Sequence, residues 1–423
     1  MTATFASMST ILVEGGRALS GTVSVLGAKN AVLKEMVATL LAPGRHRLTN
    51  VPSIVDVELM CRVLEHTGCR VEQGEHELWV VVPEEPRPEA PIELVRQMRA
   101  SIVVLGPLLS RCGEARVALP GGDDLGARPI EWHLKGLEQM GATVELEHGE
   151  LVARVDGRLK GTEVELPFPS VGATENLIFA GVLAEGETVI VNAAREPEIE
   201  DLIAHLGEMG AEIRGGGTSL VTIRGVESLR PVEHPVLPDR LEAGTYAVAG
   251  AITAGDVTIT GCRPEHLRME LTKLRDAGCE IETGVGWMRV RGPERPRPVD
   301  FATLPFPGFH TDMHPQMVAL LSVATGTSVI TENLYDARFR YVGELARMGA
   351  DITIEAQHAV VRGVDRLSGC PVLAPDIRAG AALVLAGLRA EGTTEVAEAV
   401  HIDRGYEDFV GRLRSLGAAA ERS

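Results

Sequence analysis

No two cysteines in this chain are spaced as CxxC, and none has a histidine at metal-ligand spacing. The six are Cys61, Cys69, Cys112, Cys262, Cys279 and Cys370. That pattern offers no cysteine-built metal site, and it suits buried, reduced thiols in a cytoplasmic protein. Positive charge is also short. Lys and Arg number 41 against 59 Asp and Glu, a formal net charge of −18. A nucleic-acid binder needs a basic face, so the balance argues against that class. Small anionic substrates remain open, because they need only a local group of cations. No run of about 18 apolar residues occurs, so no membrane span is expected. The opening MTATFASMST has neither a basic nor a long apolar region, and no signal peptide is expected from it.

What the chain has is length and repetition. Its 423 residues, 45% of them hydrophobic, exceed one core and predict two domains. Six segments share one form: LEHTGCRVE, LEQMGATVE, LGEMGAEIR, LRDAGCEIE, LARMGADIT and LRSLGAAAE. Each reads as the end of an amphipathic helix, a glycine and the start of a strand. The glycines Gly68, Gly141, Gly210, Gly278, Gly349 and Gly417 recur about every 70 residues. A left-handed cap is the expected conformation there, since a Cβ would clash. Earlier in each unit an apolar helix runs into a glycine and a β-rich stretch, as in GVLAEGETVIVN and GAITAGDVTITG. The unit therefore reads β-α-β-α-β-β, usually with a terminal hairpin.

Six such units predict two globular α/β domains of three units each. The first unit is expected to begin with a strand near Ile11. The last unit lacks room for a final hairpin, so the N-terminal strand is expected to pair inside the C-terminal domain. The predicted domains are 28–237, carrying the glycine-rich loop, and 1–27 plus 238–423.

The apolar helices begin with GAKNAV, MRASIV, VGATEN, LEAGTY, TDMHPQ and RAGAAL. Small and polar residues suit helix starts, and free N–H groups with the positive end of the dipole attract anions. Lys29, Arg99, Arg240 and Arg378 stand at or beside four of these starts. Any one alone reads as ordinary capping with a surface cation. Their recurrence at equivalent places predicts an anion site in the cleft between the domains. The stretch LPGGDDLGARPIEWH sets two adjacent carboxylates after two glycines, with an Arg-Pro pair beyond. Read alone it is either a solvated glycine-rich turn or a site needing an acid beside a cation.

GAKN, MRASIVVLGPLL, PGGDDLGARPIEWHLKGLEQMGA, PSVGATEN, LPDRLEAGT, TDMHPQ, RAGAALVLAG and HIDRGYE occur in this order from about Ile11 to Gly417. Together they resemble the UDP-N-acetylglucosamine 1-carboxyvinyltransferase family of enolpyruvyl transferases. The resemblance implies two inverse α/β barrels, each of three β-α-β-α-β-β repeats. The sister family, 5-enolpyruvylshikimate-3-phosphate synthase, shares that fold, but its GSKS-type start is absent here.

The resemblance also implies the reaction. An enolpyruvyl group passes from phosphoenolpyruvate to the 3-hydroxyl of UDP-N-acetylglucosamine with release of phosphate, opening peptidoglycan precursor synthesis. Neither metal nor organic cofactor is implied. Asp123 falls where the family usually has the cysteine that donates a proton and is alkylated by fosfomycin. A carboxyl group can donate a proton but is a poor nucleophile toward an epoxide, so an active, fosfomycin-insensitive enzyme is expected. Asp124 is the rival acid. Asp312 matches the base for the acceptor hydroxyl. Lys29, Arg128 and Arg404 match the cations for phosphoenolpyruvate, and Arg99 and Arg378 match further cleft positions.

For the nucleotide sugar, Asn30 resembles a substrate ligand. Arg128, Pro129, Ile130, Glu131 and Trp132 resemble the segment on uracil. Ser170, Val171 and Gly172 resemble the diphosphate loop, and Ile330 a backbone contact. Arg338 and the Asp239–Arg240 pair are expected to serve interdomain structure.

Four departures from the family pattern stand out. Lys34-Glu35-Met36 replaces a proline and apolar residues, and Glu131-Trp132 replaces an Asp-Leu type pair. His310 and His314 flank Asp312, where histidines could alter the protonation of a base. These changes keep two other readings open. One is a paralogue acting on another nucleotide or sugar hydroxyl. The other is a non-catalytic nucleotide-sugar-binding regulator.

Overall fold

The computed structural model describes residues 9–119, 121, 126 and 130–423. Asp123, Asp124, Arg128 and Pro129 lie outside the described residues. Two compact units emerge. One comprises the described residues of Gly27–Asp123 and Arg128–Leu237, the other those of Met1–Leu26, Asp124–Ala127 and Pro238–Ser423. Each has its own hydrophobic core.

The described residues form six four-stranded sheets with one recurring order. A short edge strand runs parallel to a longer one, joined through a helix in four of the six. That longer strand then pairs antiparallel with an inner strand, which in five of the six sheets belongs to a hairpin whose other strand forms the far edge. Glu163–Glu165 beside Glu187–Val191, then Leu220–Arg224 and Glu212–Arg214, is one such set. Strand positions alternate between core and surface, as in Glu77–Val82, so each sheet lays one face on helices.

Those helices are apolar all round and therefore buried. Every residue of Arg240–Ile252 is buried, as is all but the last of Ile377–Arg389. Together with His314–Leu321 they pack against one another inside the C-terminal unit. Lys29–Ala38, Leu105–Cys112 and Val171–Gly181 are the corresponding helices of the other unit. Helices inside and sheets outside make each unit an inverse α/β barrel.

All six repeat glycines have positive φ, between 94° and 108°. The strand near Ile11 does not open the first unit. Ile11–Glu14 lies between Thr393–Ala397 and Ala419–Arg422 in the sixth sheet, the terminal strand completing the C-terminal unit. Ser20–Ser24 serves the fourth sheet beside Asp256–Thr260. The parallel edge strand of the first sheet is Glu233–Pro235, which lies beside Gly44–Thr49 and arrives from the far end of its unit. The physical reason is that each longer strand needs a parallel neighbour, and the nearest chain ends supply it. All six cysteines are free, four of them buried. Among the described residues no helix is long and apolar enough to cross a membrane.

Candidate active site

In the Gly27–Leu237 unit the site is built from helix starts. Gly27 and Ala28 are pinned by hydrogen bonds from their N–H groups to the carbonyls of Asn50 and Leu237. A Cβ on Gly27 would strike the Asn50 carbonyl, so only glycine lets the chain enter the helix here. Lys29 then opens the Lys29–Ala38 helix, and its Nζ stands 2.8 Å from Asp56 Oδ2 in the first turn of Val55–His66. Asn30 follows, its carbonyl accepting from Lys34 Nζ at 2.8 Å. Lys34 Nζ also lies 3.5 Å from Glu175 Oε1. Burial pushes the Glu175 carboxyl up to about 7, against the pull of Lys34.

A second group gathers around His133. Ile130 precedes the Glu131–Gln139 helix, which carries Trp132 and His133. Trp132 stacks on Phe168 with centroids 5.9 Å apart and planes at 27°, making a flat apolar ledge. Two residues beyond Phe168, Ser170 caps Val171–Gly181, its Oγ accepting from Ala173 N at 3.4 Å. The His133 ring lies against Gly172, where an added Cβ would meet Cε1 at 3.1 Å. Nδ1 of His133 is 2.9 Å from Asn176 Nδ2, and Asn176 Oδ1 accepts from Gly106 N at 2.7 Å. Burial, then the charge of Arg99, pushes His133 down to about 4. It is a neutral ring that accepts a hydrogen bond and joins the helix carrying Trp132 to the Ser170 turn.

The C-terminal unit centres on Asp312. It lies in a short turn, Thr311–Met313, leading into His314–Leu321. Arg338 Nη2 stands 3.0 Å from Asp312 Oδ1 and donates also to Thr311 O at 3.0 Å. Arg378 Nε is 3.5 Å from Oδ2. Both guanidinium groups are buried, while Asp312 keeps 21% of its side chain exposed. Burial works to discharge Arg378, but Tyr406, Asp312 and Asp239 outweigh it and hold its pKa above the usual value. Arg378 Nη1 is buried without a hydrogen-bond partner, so the group retains a donor for an anion. Asp239 and Asp376 cap the neighbouring helices, each accepting from two backbone N–H groups. Beneath them Tyr406 and Thr245 share a 2.9 Å hydrogen bond, and Gln316 donates to Thr245 at 3.2 Å. One polar layer thus ties the starts of three helices together.

Not every expected residue falls in these groups. Arg404 follows Val400–Asp403 in the C-terminal unit, partly exposed. Ile330 is wholly buried in mid-strand, flanked by Phe301 on one side and Ala359 on the other. Its backbone belongs to the sheet. Arg338 binds Asp312 within the C-terminal unit. His314 is held neutral by burial and Arg338, with Nδ1 3.1 Å from Tyr341 OH. His310 Nδ1 accepts from Asp312 N at 3.0 Å. Both histidines shape the turn.

Two positioning residues escaped the sequence reading. Asp56 holds Lys29. Glu332 accepts from Thr303 Oγ1, Thr311 Oγ1, Leu334 N and Tyr335 N, pinning the turn that carries Asp312 to the loop after Thr327–Thr331. A lone acid after a β-rich run was the only available signal for Glu332.

The sequence profile of the EPSP synthase (3-phosphoshikimate 1-carboxyvinyltransferase) family matches residues 13–413. The chain belongs to that family. A UDP-N-acetylglucosamine 1-carboxyvinyltransferase of Nocardia farcinica is 55% identical over 417 residues, covering 97% of this chain and 98% of that protein. One from Anaeromyxobacter sp. is 52% identical, covering 98% and 99%. Among solved structures, the enolpyruvyl transferase NikO from Streptomyces tendae superposes with a TM-score of 0.90 at 26% identity, over 98% of this chain and 99% of that one. An EPSP synthase from Acinetobacter baumannii, 19% identical over 99% and 100% of the two chains, reaches 0.74 and shares the fold.

Proposed function

We infer that the protein transfers the enolpyruvyl group of phosphoenolpyruvate to the 3-hydroxyl of UDP-N-acetylglucosamine, releasing phosphate. The observation that carries this reading is identity of more than half over nearly the whole chain with proteins of that name. The resemblance supports it: by register with the family, Lys29, Arg128, Arg378 and Arg404 are the cations for a substrate bearing a carboxylate and a phosphate, and guanidinium forks suit both groups. The Ser170 helix start offers N–H groups to a diphosphate, and the Trp132–Phe168 ledge offers a flat face to a base.

The chemistry is addition followed by elimination. Asp123 protonates C3 of phosphoenolpyruvate, leaving C2 electrophilic. Asp312 takes the proton of the acceptor hydroxyl as its oxygen bonds to C2. The tetrahedral ketal then gives a C3 proton back to the Asp123 carboxylate as its C–O bond to phosphate breaks, and the vinyl ether and phosphate remain. Arg338 and Arg378 hold the Asp312 carboxylate in one orientation throughout. With aspartate at 123 there is no thiolate to open an epoxide, so the enzyme resists fosfomycin. The reaction places the protein in peptidoglycan precursor synthesis, a cytoplasmic task.

The test is phosphate release by purified protein given phosphoenolpyruvate and a panel of nucleotide sugars. Turnover with UDP-N-acetylglucosamine supports the reading. Turnover only with another acceptor points to a paralogue, which the Glu131-Trp132 departure beside the nucleotide segment would favour. Binding without turnover identifies a regulator.

A further inference from the structure

Away from the catalytic groups, a second cluster of ionisable side chains lies inside the Gly27–Leu237 unit. Glu35 sits six residues after Lys29 on the same helix. Its side chain is wholly buried, and neither carboxylate oxygen has a hydrogen-bond partner. His234 Nε2 lies 3.9 Å from Glu35 Oε1 and 3.6 Å from Asp201 Oδ1. This nitrogen too is buried without a hydrogen bond. Such separations are too long for hydrogen bonds. They are near the spacing of two ligands on one small ion, since bonds of about 2.0–2.1 Å set tetrahedral ligands about 3.3 Å apart. All three atoms lie within 4.8 Å of one another.

The surroundings fit the same reading. His234 Nδ1 is 2.9 Å from Glu208 Oε2. A carboxylate on one ring nitrogen keeps the proton there and turns the other nitrogen's lone pair outward, as in carboxylate–histidine–metal triads. That lone pair would face Glu35 and Asp201. Asp201 Oδ2 is occupied by Leu237 N at 2.9 Å, leaving Oδ1 for the cluster. The His205 ring stacks on His234 at 4.6 Å with planes 8° apart, fixing the imidazole plane. Burial raises the Glu35 pKa well above its ordinary value; against burial, Asp201 and Glu208 raise that of His234, so a cation entering the cluster displaces protons.

We propose that Glu35, Asp201 and His234 bind a divalent transition-metal ion, Zn²⁺ by donor type, with Glu208 as the carboxylate that orients the histidine. The ion would fasten the Lys29–Ala38 helix to Pro197–Met209 and to the strand Glu233–Pro235, steadying the element that begins with Lys29.

The test uses full-length protein stripped with EDTA and titrated with ZnCl₂. Bound zinc is counted by plasma mass spectrometry after gel filtration, and melting temperature is followed in parallel. Wild type is expected to hold one more Zn²⁺ per chain than Glu35→Leu and to melt several degrees higher with zinc, a rise the variant lacks. Leucine suits a buried helix position, and His234→Gln, with Glu35 intact, is a second variant in case the first fails to fold. Equal zinc content and equal thermal response in wild type and variants overturn the proposal. So does a Glu35→Leu protein that is more stable while wild type ignores zinc, because the cluster then holds a proton instead.

Discussion

Replacing Asp56 by alanine removes the carboxylate beside the Lys29 ammonium. The carboxylate 2.8 Å from Nζ is gone, and the two side chains were 11% and 1% exposed, so water cannot fully take over. Removing one partner of such a buried pair costs about 3–5 kcal/mol, and the residual exposure of Lys29 sets this case near the lower bound. At about 2–4 °C per kcal/mol for a body of roughly 200 residues, the melting temperature falls by about 6–12 °C. Thermal and urea denaturation followed by circular dichroism measure it. A cycle with Lys29→Met separates pair energy from lost packing: the coupling between the two positions should reach about 2 kcal/mol. In steady-state kinetics Asp56→Ala should raise KM for phosphoenolpyruvate more than it lowers kcat, because Lys29 loses its bearing on the substrate. Additivity within about 0.5 kcal/mol, with unchanged kinetics, would refute the claim that Asp56 positions Lys29.

Asp312→Asn should lower kcat by about 10²–10⁴ while nucleotide-sugar affinity, read by calorimetry, changes little; an unchanged kcat would move the base elsewhere. Asp123→Cys should make the enzyme sensitive to fosfomycin, seen as time-dependent inactivation and a covalent mass gain. The wild type should show neither. Burial raises Glu175 from 4.5 to about 7, so the folded state keeps a proton that the unfolded chain releases in between. Its contribution is therefore complete below about pH 4.5 and is lost as pH climbs through 7. Glu175→Gln should flatten that part of the stability profile, and an unaltered slope in urea titrations would assign it to another group.

The parts of the fold readable in advance were those with local causes. Glycines at the six helix ends show because positive φ penalises every other residue. The buried helices show because they are apolar on all sides. The pairing of Ile11–Glu14 within the C-terminal unit could be inferred from a last unit too short for its own hairpin. That Glu233–Pro235 completes the first sheet was hidden, since a three-residue edge strand carries almost no pattern. In the site, Lys29 and Asp312 are visible at helix starts. The side chains that hold them are not, because Asp56, Arg338 and Glu332 arrive from 20 or more residues away. Lys34 and Glu35 were visible as oddities, but Glu175, Asp201 and His234 meet them only through packing.

The central claim is proton addition to a vinyl carbon followed by elimination of phosphate. The direct measurement is the reaction run in D₂O with phosphoenolpyruvate and UDP-N-acetylglucosamine, the product being weighed by mass spectrometry as phosphate is counted. The account predicts an enolpyruvyl nucleotide sugar carrying deuterium on its vinyl carbon, formed in step with phosphate. Phosphate without that product, or a product free of deuterium, would contradict it.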